Sequence, residues 1–281
     1  MSLGKLIQRI KKNKEVESEI KSIDFYVSKY LLNSFQEIKK KDNLAGEDFV
    51  IRCSDLPFID VVSEIKSYFL GSSRKISVSP KMGYIYEVGK YYHELVRNNL
   101  DNVYGIWICS KCFKIFGDFD NWVIKPKQCD CGFTGFLNIF GDTIHLNKFQ
   151  YIEPFKVSNH LSGHLDAVFK ISGKWVIVDF KTCNKEQFIG FCNSGPSMSH
   201  IIQIHGYMEL FDIKQAKVMY INKNTDDILF KEFWIFYNLD IINEIKRRIE
   251  YIKRCIEEER IIEEKFEPLY KYKTDFSLFS E

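Results

Sequence analysis

Residues 163–182, GHLDAVFKISGKWVIVDFKT, read as two β-strands around a tight turn, and each strand carries an aspartate among apolar neighbours. An ionised carboxylate withdrawn from water costs several kcal/mol unless it is paired, hydrogen-bonded or bound to a metal, so two in one hairpin need a reason. Ser172-Gly173 suits a two-residue hairpin turn and pairs Ile171 with Lys174. Counting back along both arms sets Asp166 directly opposite Asp179, with Cβ atoms about 4.5–5.5 Å apart on one face. Like charges at that distance repel, and a divalent cation between or beside them makes sense of the arrangement. The same register puts His164 opposite Lys181, and strand alternation puts Trp175, Ile177, Asp179 and Lys181 on one face. The plain alternative is a set of exposed polar residues on the wet face of an antiparallel pair.

A chain of 281 residues, 45% of them hydrophobic, has enough material for a full core. Its 40 lysines and arginines nearly cancel 38 aspartates and glutamates, so net charge does not advertise a nucleic-acid partner, which has to be argued from local chemistry. The opening residues MSLGKLIQRIKKNKEVE hold no long apolar core, and no apolar run approaches the roughly 18 residues of a membrane span. The expectation is a soluble, intracellular, cytoplasmic protein with no membrane partner. Of eight cysteines, Cys53, Cys183, Cys192 and Cys255 are scattered and four are bunched at metal-ligand spacing, a pattern that suits a reducing compartment. Richness in Ile, Lys, Asn, Phe and Tyr points to an AT-rich bacterial or viral genome.

Helical spacing of apolar residues marks 5–38, a helix capped by Ser54 and Asp55 runs through Pro57 to Phe69, and another covers about 82–100. Strands dominate from 149 to 182, a helix follows Gly195-Pro196, and strands at 217–222 and 228–236 flank the turn-forming NKNTDD. Residues 239–265, with Ile241, Ile245, Ile249, Ile252 and Ile256, form a long amphipathic helix.

Three further stretches carry chemistry. In GKYYHEL, His93 lies one helical turn after Gly89, whose missing side chain leaves space for a metal or phosphate beside the imidazole; a packed core histidine is the alternative. Glu153, in YIEPF, is either an acid linked to the metal or a strand-edge charge. In SMSHIIQIHGYMELF, Ile201, Ile204, Met208 and Phe211 make a core stripe, and His200, Gln203 and Tyr207 line the adjacent face, where an amide and a phenol suit phosphate and sugar oxygens or hold a catalytic group in place.

In that order, Gly89-x-x-x-His93, Gly163-x-x-Asp166, Asp179-x-Lys181 and Gln203-x-x-x-Tyr207 resemble the motifs of the RecB-like exonuclease branch of the PD-(D/E)XK nuclease superfamily, over about residues 50–237. The resemblance implies an α/β fold of restriction-endonuclease-like type, with a mixed β-sheet core flanked by helices. It implies His93, Asp166 and Asp179 as ligands of Mg²⁺ or Mn²⁺, and Lys181 as the group that orients or activates the attacking water. Gln203 and Tyr207 would belong to a helix that contacts DNA. Some relatives bind an iron–sulfur cluster through one early and three late cysteines; Cys183, Cys192 and Cys255 do not reproduce the late trio, so no cluster of that kind is expected.

The chain has instead CSKC followed by CDCG, in which Cys109 and Cys112 face Cys129 and Cys131 across sixteen residues. Two close thiolate pairs at the ends of a short β excursion suit a tetrahedral structural Zn²⁺, with free cysteines, disulfides or an iron site as alternatives. Lys111, Lys114, Lys125 and Lys127 alternate with Trp107, Phe113, Phe116 and Trp122, a mixture that either tracks and stacks on a nucleic-acid strand or forms the small core around the metal.

The division expected is an N-terminal helical region (1–70), a nuclease core (71–104 and 136–237) with a zinc-ribbon-like insertion (105–135), and a C-terminal helix and tail (238–281). The function expected is a metal-dependent DNA nuclease, an exonuclease acting on ends or single strands in recombination, repair or replication. The alternatives are a structure-specific or nicking endonuclease of the same chemistry, and an inert zinc-ribbon nucleic-acid-binding protein.

Overall fold

The computed structural model describes residues 49–60, 64, 80–100, 102–133, 136–137, 143–144, 148–224, 229–259, 266 and 269. The helix expected over 5–38, most of that over 57–69, and residues 260–265 of the C-terminal helix lie outside them. The chain divides into two units, Met1–Gly46 with Lys75–Lys90 and Glu47–Arg74 with Tyr91–Glu281. Everything below except the start of the first helix belongs to the second.

Strand β1 (Ile51–Arg52) and a short 3-10 turn (Leu56–Phe58) precede helix α1 (Pro80–Asn99), which opens on a proline whose fixed φ suits a first helical position. Strands β2 (Tyr104–Cys109), β3 (Ile115–Phe116), β4 (Val123–Ile124), β5 (Phe136–Leu137), β6 (Thr143–Ile144), β7 (Phe149–Ile152), β8 (Phe155–Ser158), β9 (Leu161–His164), β10 (Ala167–Ile171) and β11 (Lys174–Cys183) follow. Helices α2 (Lys185–Ser194) and α3 (Met198–Phe211) then cross over to β12 (Gln215–Asn222), followed by β13 (Phe230–Phe236) and helix α4 (Leu239–Glu257). No helix among the described residues is long and apolar enough to cross a membrane.

The principal sheet runs β13-β12-β11-β10-β2-β3, with β4 and β7 also paired to β2. It is mixed: β11 and β12 are parallel, as the helical crossover between them requires, while β10–β11 and β12–β13 are antiparallel. A second sheet, β1-β9-β8, holds one parallel and one antiparallel pairing, and β5 pairs with β6.

Ser172 and Gly173, with φ of 50° and 80°, form the two-residue turn, and Ile171 pairs with Lys174 through to Ala167 with Val178. The first arm of the expected hairpin is nevertheless not one strand. It breaks at Leu165 and Asp166, so that β9 lies in the small sheet and β10 in the large one. His164 therefore pairs with Phe155, their rings stacked 4.3 Å apart, and not with Lys181. The physical reason is local: Asp166 Oδ2 accepts the Phe180 N–H at 2.8 Å, using the donor that the next rung would have needed.

Each face of the sheet has its own core. On one side Val168, Ile177, Val218, Tyr220 and Ile235 meet Ile201, Ile204 and Met208 of α3 and Ile241, Ile245, Ile249 and Ile252 of α4. On the other, Ala167, Val176, Val178 and Phe180 meet Trp107, Cys109, Cys129 and Phe149, with Tyr92, Val96 and Leu100 of α1 packed against them. The four-cysteine segment is woven into both: Trp107 is fully buried in the second core, and Trp122 packs on Trp175 and Phe211 at the edge of the first.

Candidate functional site

The break between β9 and β10 sets Asp166 beside β11, where Asp179 and Lys181 share the face turned to α3. Asp179 is 2% exposed, and the Lys181 ammonium lies 2.8 Å from its Oδ2. That contact lacks hydrogen-bond geometry, so Oδ2 has a charge beside it and no donor aimed at it. The ammonium instead donates to Gln203 Oε1 at 3.0 Å, and Gln203 Nε2 donates to the Tyr207 hydroxyl at 2.8 Å. One turn of α3 thus continues the line that begins on β11.

Tyr207 is buried, its ring against Gly163, where an added Cβ would lie 2.7 Å from a ring carbon. Gly206, on the same helix, leaves comparable room for Leu56 and Cys53. These two close approaches seat α3 on β9 and on the 3-10 turn after β1, and fix the depth of Gln203.

α1 supplies the remaining groups. His93 Nδ1 is 3.2 Å from Asp166 Oδ1, with its ring edge-on to Phe180 at 5.6 Å. Burial disfavours the imidazolium, but the Asp166 carboxylate outweighs it and raises the His93 pKa above the ordinary value. The two acids are driven apart. Burial raises both, yet for Asp166 the His93 contact, Lys181 and the Phe180 N–H prevail and lower its pKa, whereas Asp179 stays raised because burial and the Asp166 charge outweigh Lys181. The two carboxylates and the imidazole are oxygen and nitrogen donors of the kind a divalent cation takes, though they are not drawn together as the cysteine sulfurs are, the one such group among the described residues whose ligand atoms all lie within 4.8 Å of one another.

Glu153 is brought to the same end of the sheet but is bonded elsewhere: Arg97 Nη1 donates to its Oε1 at 2.6 Å. Arg97 went unnoticed in the sequence. Its position four residues after His93, on the same stripe of α1, was the available signal. Of the other polar residues expected on α3, His200 turns inward, its Nδ1 2.8 Å from the Tyr220 hydroxyl. Burial, with Lys181 nearby, pushes its pKa down to about 3.

The four cysteines form a second donor cluster, with Cys109 and Cys131 Sγ 3.7 Å apart, Cys112 and Cys129 Sγ 3.5 Å apart, and all four sulfurs within 4.8 Å of one another. All are free thiols. A tetrahedral ion with arms of about 2.3 Å to sulfur has edges of about 3.8 Å, so the spacing fits zinc. Burial opposes the Cys109 thiolate, but the backbone amides of Cys112 and Lys111 win and bring its pKa down to about 6, whereas for Cys129 the Cys131 amide is outweighed by burial and the neighbouring thiols, which push its pKa up to about 12. Two knuckles build the cluster: Phe113 N–H donates back to the Cys109 carbonyl at 3.0 Å and Gly132 N–H to that of Cys129 at 3.0 Å, with Phe113 and Gly132 at φ of 59° and 70°.

No protein-family model matches the chain, and no curated protein does. Among solved structures it is similar to the protein SSO0001, at 16% identity over 83% of this chain and 86% of that one, with a TM-score of 0.40. It is similar also to an alkaline exonuclease from Laribacter hongkongensis, at 9% identity over 75% of this chain and 89% of that one, TM-score 0.44. A phage-related exonuclease from Haemophilus somnus matches at 14% identity over 75% of this chain and 96% of that one, TM-score 0.37.

Proposed function

We propose that this chain is a metal-dependent DNA nuclease of RecB-like, PD-(D/E)XK type, an exonuclease acting on ends or single strands, with a structural zinc in its four-cysteine cluster. The observation that carries this reading is the unbroken line Tyr207, Gln203, Lys181, Asp179, which ends on a buried carboxylate beside Asp166 and His93. His93, Asp166 and Asp179 would hold Mg²⁺ or Mn²⁺. A cation bound there would polarise the scissile phosphate and lower the pKa of a water molecule.

The protein's own groups do the rest. Lys181, pinned between Asp179 and Gln203, presents a fixed positive charge to the oxygens on which charge develops. Gln203 faces the reacting end of the nucleic acid, and Tyr207, buried, acts through Gln203. In the cysteine cluster four thiolates fill a tetrahedral ion and leave no open position for water, which supports a structural role.

The test is digestion of end-labelled single- and double-stranded linear DNA, and of covalently closed circles, with Mg²⁺ or with EDTA. Metal-dependent shortening of linear DNA with intact circles supports the exonuclease. Cut circles would make it an endonuclease, and no cleavage of any substrate would leave a zinc-bearing nucleic-acid-binding protein.

A further inference from the structure

α1 grips the Asp166 bend twice, one helical turn apart: His93 at the carboxylate and Arg97 at the main chain, where its Nη1 donates to the Asp166 carbonyl at 3.1 Å. The same Nη1 donates to Glu153 Oε1 at 2.6 Å. Arg97 is 4% exposed and its guanidinium lies over the Tyr151 ring, 5.0 Å from the centroid. Tyr151 is itself held, by its hydroxyl on the Tyr104 carbonyl at 3.2 Å and by Trp107 edge-on at 5.0 Å. Gly105 makes room for it, since a Cβ there would fall 2.2 Å from the ring. A buried cation on a prepared shelf therefore ties together three strands' worth of chain at the edge of the site.

We propose that Arg97 is a positioning residue: by fixing the backbone of the Asp166 bend and orienting Glu153, it sets the affinity of the site for its divalent cation. This rests on the metal-dependent reading above. Asp166 lies between β9, which ends at His164, and β10, whose one rung on the β2 side is Val168 with Tyr104, and the donor its carbonyl meets is Arg97. A metal site tolerates only about 0.5 Å of drift in its ligands before affinity falls. Glu153 balances the guanidinium charge, which would otherwise repel the incoming cation. A lysine in place of Arg97 keeps the charge but is one bond shorter and has no guanidinium plane to lie over the Tyr151 ring, so it cannot hold the same point between Glu153 and the Asp166 carbonyl.

The experiment is Mn²⁺ titration of the full-length, zinc-loaded protein without DNA, followed by calorimetry, for wild type, Asp179→Asn, Arg97→Lys, Glu153→Gln and Arg97→Gln/Glu153→Gln. The double variant removes both charges, so no unpaired carboxylate threatens folding; zinc content and a cooperative melt in EDTA establish that each variant is folded. Arg97→Lys should weaken Mn²⁺ binding about 10–100-fold relative to wild type, and the double variant should do so relative to Glu153→Gln, the scale on which groups that orient metal ligands act. Unchanged Kd in both comparisons would overturn the proposal, because a merely structural arginine would move the melt and not the binding. Wild-type Mn²⁺ affinity in Asp179→Asn would overturn the proposal and the metal site together.

Discussion

Asp166 closes with its side chain the ladder that its backbone leaves, its Oδ2 accepting the Phe180 N–H at 2.8 Å. Asp179, across the hairpin, bonds no backbone amide among the described residues; its Oδ2 has only the Lys181 ammonium beside it, at 2.8 Å. The two acids thus have opposite structural value although both are assigned to one metal.

That asymmetry predicts opposite effects on stability. Without metal, Asp166→Ala should strand the Phe180 N–H and cost about 1–3 kcal/mol, whereas Asp179→Asn, which relieves a carboxylate whose pKa is already raised, should melt no lower than wild type. Both should lose nearly all cleavage. Excess Mg²⁺ should raise the wild-type melting point and leave Asp179→Asn almost unmoved, since a ligand stabilises by RT ln(1 + [L]/Kd). Paired melts in EDTA and in metal decide it; an active Asp179→Asn would remove that residue from the site.

Lys181→Ala should lower the cleavage rate by orders of magnitude while DNA affinity stays within a few fold, because the ammonium is assigned to charge that develops during the reaction. Single-turnover rates beside binding isotherms would show this, and near-normal turnover would sink the assignment.

His200 predicts a pH dependence. Its folded pKa is about 3, against roughly 6.5 unfolded, so below the unfolded value the unfolded chain binds the proton and the folded one does not. Its contribution is fully present above that pH and is lost as pH falls through the window, at up to about 1.4 kcal/mol per unit. Melting of wild type and His200→Gln from pH 7.5 to 5 should show the variant declining less steeply; parallel curves would contradict the half-buried neutral imidazole.

Purified protein should carry about one zinc per chain, the stoichiometry of a closed four-thiolate site. Cys109→Ser should lose it and melt at lower temperature. Elemental analysis finding no zinc, or iron with sulfide, would reject the assignment.

Gly163→Ala should drive a methyl into the Tyr207 ring, 2.7 Å away, at a cost of about 1–3 kcal/mol. Because Tyr207 supports Gln203 and Gln203 holds Lys181, cleavage should fall more than DNA binding does. Steady-state kinetics at a temperature well below the melt would detect the difference.

Turn chemistry and period-two alternation made the register of β10 with β11 legible in the sequence, and helical spacing gave α1 and the starts of α3 and α4 within a few residues, while α4 ends at Glu257, short of the 265 expected. The break at Asp166 was not legible, because it arises from a side chain taking a backbone donor, which no pattern of apolar residues records. Helix α2 was missed although its signal was present: Asn184 and Gln187 form a capping box. The turn of Asn159 and His160, both at positive φ, also went unread, although asparagine and histidine are among the non-glycine residues enriched there. Arg97 was hidden for a different reason. Its partners, Glu153 and the Asp166 carbonyl, are 56 and 69 residues away, and one of them is main chain.

Cys109 and Cys129 are packed in the same buried cluster as Val178 and Phe180, the residues on either side of Asp179. On the proposed assignment a chelator therefore acts on two clocks. A brief exposure empties the acidic site, and magnesium alone restores cleavage. A long one also draws out the slowly exchanging zinc and loosens the wall behind the acidic strand, after which magnesium no longer suffices and zinc must be returned first.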